Sequence, residues 1–231
     1  MIILAIDCAA SLCAACLYDA AAGGELGREV RDLGKGHAEH LMDVIGVALV
    51  AAGASYGDVG AIAVSVGPGS FTGVRVGVAT ARGLALALKV PAIGVTTLEA
   101  IAAEARAGGA GGWNDADIMA AIDAGRDGIY VGVYDRFGAA RYDPAVMTLE
   151  QAADHASESR SVLAGSAAVR IAGLIEGATL SGFEGATADI GVYARLAAAK
   201  DPADAGRPAP LYLRAPDAKP QAGFILPRRG D

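Results

Sequence analysis

Apolar residues recur along this chain in two rhythms, one of strand length and one of helical period. Ile2–Asp7 and Cys13–Asp19 predict two strands of a hairpin, and Glu25–Arg31, beyond the Gly23-Gly24 turn, a third. A polar loop, Gly34-Lys35-Gly36, leads into a helix from about His37 to Ala52. Its stripe is Leu41, Val44, Ile45, Ala48 and Ala51 or Ala52. After a loop over Gly53–Gly60, Ala61–Val66 predicts a strand, and an Ala/Leu/Val segment ending at Leu88 predicts a long helix. Pro91 stops that helix, Ala92–Val95 reads as a short strand, and Thr97 caps a further helix to about Ala107.

The run Ala107-Gly108-Gly109-Ala110-Gly111-Gly112 breaks the pattern, which then begins again. Ile3-Leu4-Ala5-Ile6-Asp7 matches Met119-Ala120-Ala121-Ile122-Asp123, and Leu17-Tyr18-Asp19 matches Val133-Tyr134-Asp135, both at an offset of 116 (123 − 7 and 135 − 19). Residues 1–107 and 108–231 are therefore expected to be two related halves. Arg141–Met147 predicts the third strand of the second half, after which the repeat degenerates into helical patches near Thr148–Ala156, Ala167–Ile175 and Ala188–Ala199.

Between the strand Ala61–Val66 and its helix lies Gly67-Pro68-Gly69-Ser70-Phe71-Thr72-Gly73-Val74-Arg75-Val76-Gly77. Ser70 is the expected helix cap, and the free amides behind it suit an anion or a partner's backbone. The spacing excludes three enzymes: no lysine follows Gly73 as a P-loop needs, the third glycine comes one residue late for a dinucleotide fingerprint, and Pro68 and Thr72 stand where a hydrolase elbow has glycines. Within the helix, Gly73, Gly77, Ala81 and Ala85 form a low ridge at steps of four. Val74, Val78, Ala81, Ala85 and Leu88 follow beside it at steps of four and three. Both patterns predict a seam for packing against another helix.

Composition narrows the partners. The 231 residues carry a net charge of −7, and the pI is about 5.0, which argues against stand-alone binding of nucleic acid. Mean hydropathy of +0.39 is high, but alanine supplies much of it and no uninterrupted apolar run reaches the roughly 20 residues of a membrane span. The N-terminus reads as a strand rather than a signal peptide, so a cytoplasmic location is the default. Cys8, Cys13 and Cys16 have no second cluster to complete a thiolate cage and are expected to be buried, reduced thiols. His37 and His40 lie one turn apart, but with only His155 besides, they make an incomplete metal shell; no metal is expected.

A duplicated unit of three antiparallel strands, helix, strand, helix, with an aspartate ending each first strand, resembles the actin-like (ASKHA, ribonuclease H-like) α/β fold. Each half is then a mixed sheet flanked by helices. The segments Ile3–Asp7, Gly67–Gly77, Asp123-Ala124-Gly125-Arg126 with Tyr130, and Pro210-Leu211-Tyr212-Leu213-Arg214 together resemble the TsaB family, also called YeaZ. The resemblance implies a non-catalytic subunit of the machinery that adds threonylcarbamoyl to the adenosine next to the anticodon in tRNAs reading codons that begin with A. It implies a catalytic paralogue, TsaD, bound through the first two helices of each partner, and a TsaE ATPase. ATP and tRNA then enter only at the level of the complex, with no cofactor of the chain's own.

On this chain the implied interface is Leu41, Val44, Ile45, Ala48, Gly73, Val74, Gly77, Val78, Ala81 and Ala85, and a weak homodimer through the same surface is expected when TsaD is absent. The fold also implies a nucleotide site, for which the candidates are Asp7, Ser11, Gly69, Ser70, Asp123 and Gly125. The hydroxyl donors usual after the first aspartate are missing in Asp7-Cys8-Ala9-Ala10-Ser11, apart from Ser11. Two classes stay open: a scaffold, and a nucleotide-dependent enzyme such as an ATPase or small-molecule kinase with Asp7 as metal orienter or base.

Overall fold

The computed structural model describes residues 1–108, 115–125, 127–203 and 206–214; Arg126, most of the glycine-rich run after Gly108 and the tail beyond Arg214 lie outside the described residues. The first sheet begins with β1 (Ile2–Asp7), β2 (Leu12–Asp19) and β3 (Gly24–Asp32), joined as antiparallel neighbours. β4 (Val59–Ser65) lies parallel to β1, and β5 (Ala92–Val95) parallel to β4, giving the order β3-β2-β1-β4-β5. The central strands read as continuous apolar runs because both faces of the sheet are covered. Leu4, Ile6 and Ile62 face α1 (His37–Ala51) and α2 (Phe71–Leu88), while Ile3, Ala5 and Ala61 face the middle of the molecule. Edge strand β3 alternates between exposed and half-buried positions and is rich in charge, which suits an edge strand.

The second sheet has the order β8-β7-β6-β9, from β6 (Ile118–Asp123), β7 (Gly128–Tyr134), β8 (Ala140–Thr148) and β9 (Val162–Ala164). This is the first sheet's order without its outermost strand. The repeat therefore runs further than its pattern suggests, through α4 (Leu149–Ser159), β9 and α5 (Ala168–Ala172). A three-residue strand and a five-residue helix are too short to show a period, so the sequence reads as degenerate there.

One core lies between the sheets. It joins Ile3 and Ala5 to Ile118, Ala120 and Ile122 through Leu98 and Ile101 of α3 (Thr97–Gly108) and Tyr193 of α6 (Ile190–Ala198). The helices are exchanged: α3 packs on strands of the second sheet and α6 on strands of the first. An ion network fastens the exchange on the outside. Arg28 of β3 pairs with Glu25 and, at 2.6 Å, with Asp189 at the start of α6, whose amide donates to Glu104 of α3.

Candidate functional site

The glycine loop is clipped to its surroundings by backbone bonds. The Val66 amide donates to Val95 at 2.9 Å, the Gly67 carbonyl accepts from Thr97 at 2.8 Å, and the Ser70 amide donates to Ala9 at 2.6 Å. Ser70 caps α2 as its position predicts, its hydroxyl accepting from the Gly73 amide at 3.2 Å. Gly67 has φ +89°, a left-handed conformation that suits glycine. Gly69 and Gly73 are required by proximity: a methyl on either would overlap the carbonyl oxygen of Ala9 or Cys8, at the apex of the β1–β2 hairpin. The loop thus seats α2 on that hairpin.

This seating corrects the expected interface. Leu41, Val44, Ile45 and Ala48 of α1 and Gly73, Val74, Gly77, Val78, Ala81 and Ala85 of α2 are all buried within this chain, packed with Leu4, Ile6, Leu17, Ile62 and Val64. The small-residue ridge brings α2 close to its own sheet, where Gly77 makes ordinary contact with Val64 and Cys8. The helix α2 is long and apolar enough to cross a membrane by length and composition alone, but its packed face lies on the sheet. The opposite face of the α1–α2 pair is the exposed one. Met42, Val47 and Val50 line it on α1, with Val50 81% exposed; on α2 it carries Ala79, Gly83, Ala87 and Leu86, the last 77% exposed. That row fell outside the stripe the sequence pointed to, because the more apolar stripe of each helix is taken by the core.

The nucleotide candidates are not gathered into one open cleft. Asp7 is 1% exposed. Its carboxylate accepts from the Ala9 amide at 2.9 Å and from the Thr187 hydroxyl at 2.5 Å, and Thr187 in turn shares a 2.7 Å hydrogen bond with the Tyr193 hydroxyl. Ser65 and Thr97 border this chain with buried side chains. Burial pushes the Asp7 carboxyl above its ordinary range, against the pull of Thr187 and the Ala9 amide, and likewise raises Tyr193. The second half thus supplies a plug over the first half's aspartate. Thr187 and Tyr193, 180 and 186 residues along, carry no sequence signal of this contact.

The other candidates sit apart in role. Ser11 is exposed at the hairpin apex, Gly69 and Ser70 belong to the α2 seat, and Asp123 is exposed, bonded to Arg170 at 2.8 Å and to the Gly125 amide at 2.9 Å. His37, at the start of α1, donates through Nε2 to the Leu12 carbonyl oxygen at 3.2 Å, which ties that helix to β2. A cleft of about 340 Å3 between α3, α6 and the β7–β8 turn, lined by Arg106, Tyr134 and Phe137 among others, shares no residue with these candidates.

A C-terminal strap, residues 206–214, crosses from one half to the other. The Leu211 amide donates to Val66 at 2.8 Å, and Arg214 donates to the Gly125 carbonyl at 3.0 Å. Tyr212 and Phe71 flank Arg75, whose guanidinium lies 3.4 Å from the Phe71 ring centroid and donates to the Tyr212 hydroxyl at 2.7 Å. The motif Pro210–Arg214 therefore acts as a clasp over the glycine loop.

Two sheets of matching strand order, each opening on a strand that ends in aspartate, define a protein of the actin-like fold. Residues 31–175 match the family model described as TsaD, tRNA N6-adenosine threonylcarbamoyltransferase. The chain is 37% identical over 137 residues to the tRNA threonylcarbamoyladenosine biosynthesis protein TsaB of Escherichia coli, covering 59% of this chain and 56% of that one. It is 34% identical over 198 residues to an uncharacterized protein of Mycobacterium tuberculosis, covering 85% and 84%. YeaZ from Pseudomonas aeruginosa superposes with a TM-score of 0.74 at 26% identity, over 92% of this chain and 99% of that one. The chain belongs to the TsaB (YeaZ) family.

Proposed function

We propose that this chain is a non-catalytic scaffold subunit in the biosynthesis of threonylcarbamoyladenosine on tRNA, working in the cytoplasm by holding and stabilising a TsaD-like catalytic paralogue. The observation that carries the reading is the outer face of α1 and α2, where Met42, Val47, Val50 and Leu86 stand exposed on two helices whose other faces are fixed to the sheet. Small residues Gly46, Ala79 and Gly83 between them let a second helix pair approach closely. Such a face, rigid and apolar, favours a four-helix contact. A TsaE-like ATPase and tRNA join through the complex, consistent with the chain's net charge of −7. Without the paralogue, two copies of the chain pair weakly through the same face.

The buried Asp7 supports the scaffold reading over a nucleotide-dependent enzyme, because a carboxyl group 1% exposed and already bonded to Ala9 and Thr187 is poorly placed to meet a metal or phosphate. The test is co-purification with the TsaD-like protein of the same organism, followed by threonylcarbamoyl transfer to tRNA with and without this chain. The expected outcome is a stable complex whose transfer depends on a chain that is inert alone. Substituting Val50→Glu together with Leu86→Glu should weaken that complex at least ~100-fold, on the order of 3 kcal/mol, with the melting curve of the free chain unchanged. Tight magnesium-dependent nucleotide binding by the chain alone, with no complex formed, would return the function to the enzyme class.

A further inference from the structure

The apex of the first hairpin sets two thiols face to face. Asp7 pairs with Ala14 across β1 and β2, and one step further in that register Cys8 stands opposite Cys13. Their Sγ atoms lie 3.9 Å apart and share a hydrogen bond, and both side chains are buried in the core beneath α1 and α2. Cys16 belongs to the other face of the sheet, in the core between the two halves. We propose that Cys8 and Cys13 are a modification site, a dithiol that hydrogen peroxide converts into an intrachain disulfide and a small-molecule thiol restores.

The geometry favours this pair. Directly opposed residues on antiparallel strands hold their Cβ atoms about 5 Å apart, and a disulfide needs about 4 Å, so the sulfurs close from 3.9 Å to about 2.0 Å without exchange of register. The hydrogen bond with Cys8 holds the Cys13 thiol below its ordinary range, which makes Cys13 the nucleophile, while Cys8 is held above. The Cys13 thiolate attacks one peroxide oxygen, breaking the O–O bond to give a sulfenic acid, and the released hydroxide takes up a proton to leave as water. Cys8 then attacks the sulfenic sulfur, forming the S–S bond and losing its proton as the second water departs. Two thiols and one peroxide thus yield one disulfide and two waters. The loop linking the pair ends at exposed Ser11, with Ala10 half-buried, so opening that short loop admits an oxidant the size of peroxide.

The bond would form where α2 is seated, since the Cys8 and Ala9 carbonyls contact Gly73 and accept from Ser70. The test uses the full folded chain, treated with peroxide, then denatured, alkylated and weighed intact, with peptide mapping of the linked cysteines. Once the alkyl adducts are subtracted, the expected result is a loss of about 2 Da, with a fall in alkylatable cysteines from the three free thiols to one, Cys16, and recovery of all three with dithiothreitol. Cys16→Ser should keep the response and Cys8→Ser should abolish it. A bond that includes Cys16, a sulfinic acid on Cys13 as the product, or three alkylatable thiols at peroxide levels that oxidise the denatured chain would each overturn the proposal. Mapping of the unmodified sequence decides the matter even where a serine variant fails to fold.

Discussion

The two halves begin with the same run of apolar residues ending in aspartate and put it to opposite uses. Asp7 is buried beneath Thr187 and Tyr193, and its hairpin apex holds the first turn of an 18-residue helix. Asp123 is exposed, tied to Arg170, and the strand that follows in its half leads into a helix of five residues. The difference lies in what packs on each apex. In the first half, glycines at 69 and 73 allow a backbone to lie against the hairpin carbonyls; in the second, Ser166 approaches Asp123 with a hydroxyl 3.3 Å from its amide. A duplicated unit has thus become one rigid half with a long helical face and one shorter half that supplies a plug and a clasp.

The largest effect expected from breaking this asymmetry is at Gly73. A valine there would drive its Cβ into the Cys8 carbonyl, which is hairpin backbone and not the end of a flexible side chain. We expect Gly73→Val to lower the unfolding free energy by at least about 3 kcal/mol in denaturant melts. Ala81→Trp falls next, because position 81 is fully buried against the sheet: the variant should lose fold stability of about 1–3 kcal/mol instead of yielding a stable chain that merely fails to bind. Native-like melting of Ala81→Trp would show that α2 can lift from its sheet and would restore the seam as an outward face.

Much of this fold is legible in the sequence, for stated physical reasons. β1, β2 and β4 are runs with both faces covered, α1 and α2 carry long periodic stripes, and the offset of 116 between Asp7 and Asp123 exposes the duplication. The direction of the α2 ridge was not legible. Gly73, Gly77, Ala81 and Ala85 specify that something comes close, and the same spacing serves a neighbouring helix or a strand and a hairpin apex equally well. Nor could local pattern place Thr187 over Asp7, or Tyr212 beside Arg75, since both contacts join segments more than a hundred residues apart. β9 escaped because three residues hold no period.

Charge at the two aspartates sharpens the comparison further. Asp7 is raised by burial, so its folded value lies above its unfolded one; the native state binds a proton more tightly, and this contribution to stability is full below the unfolded value and lost as pH rises through the folded one. Asp7→Asn removes that loss while keeping an acceptor for the Ala9 amide and offering a donor to Thr187. We expect Asp7→Asn to raise stability at pH 7 by on the order of 1 kcal/mol, with the advantage shrinking as pH falls toward 4, in melts followed across that range. A variant less stable than the parent at pH 7 would mean that the carboxylate is held ionised by its hydrogen bonds.

The smallest effect belongs to the second aspartate, and its smallness is informative. Asp123 meets Arg170 across solvent, with both side chains about half exposed, a setting in which ion pairs are screened and their geometry is loosely held. Asp123→Asn keeps an acceptor for the Gly125 amide, so its melting midpoint should stay within error of the parent between pH 5 and 8, and raising the salt concentration should not separate the two. The nearby clasp offers a check on this apex: Arg214 donates to the Gly125 carbonyl, one bond from the turn that Asp123 braces. If Asp123→Asn melted several degrees lower, the second apex would be carrying load through that clasp into the glycine loop. The halves would then be less unequal than the burial of their aspartates makes them.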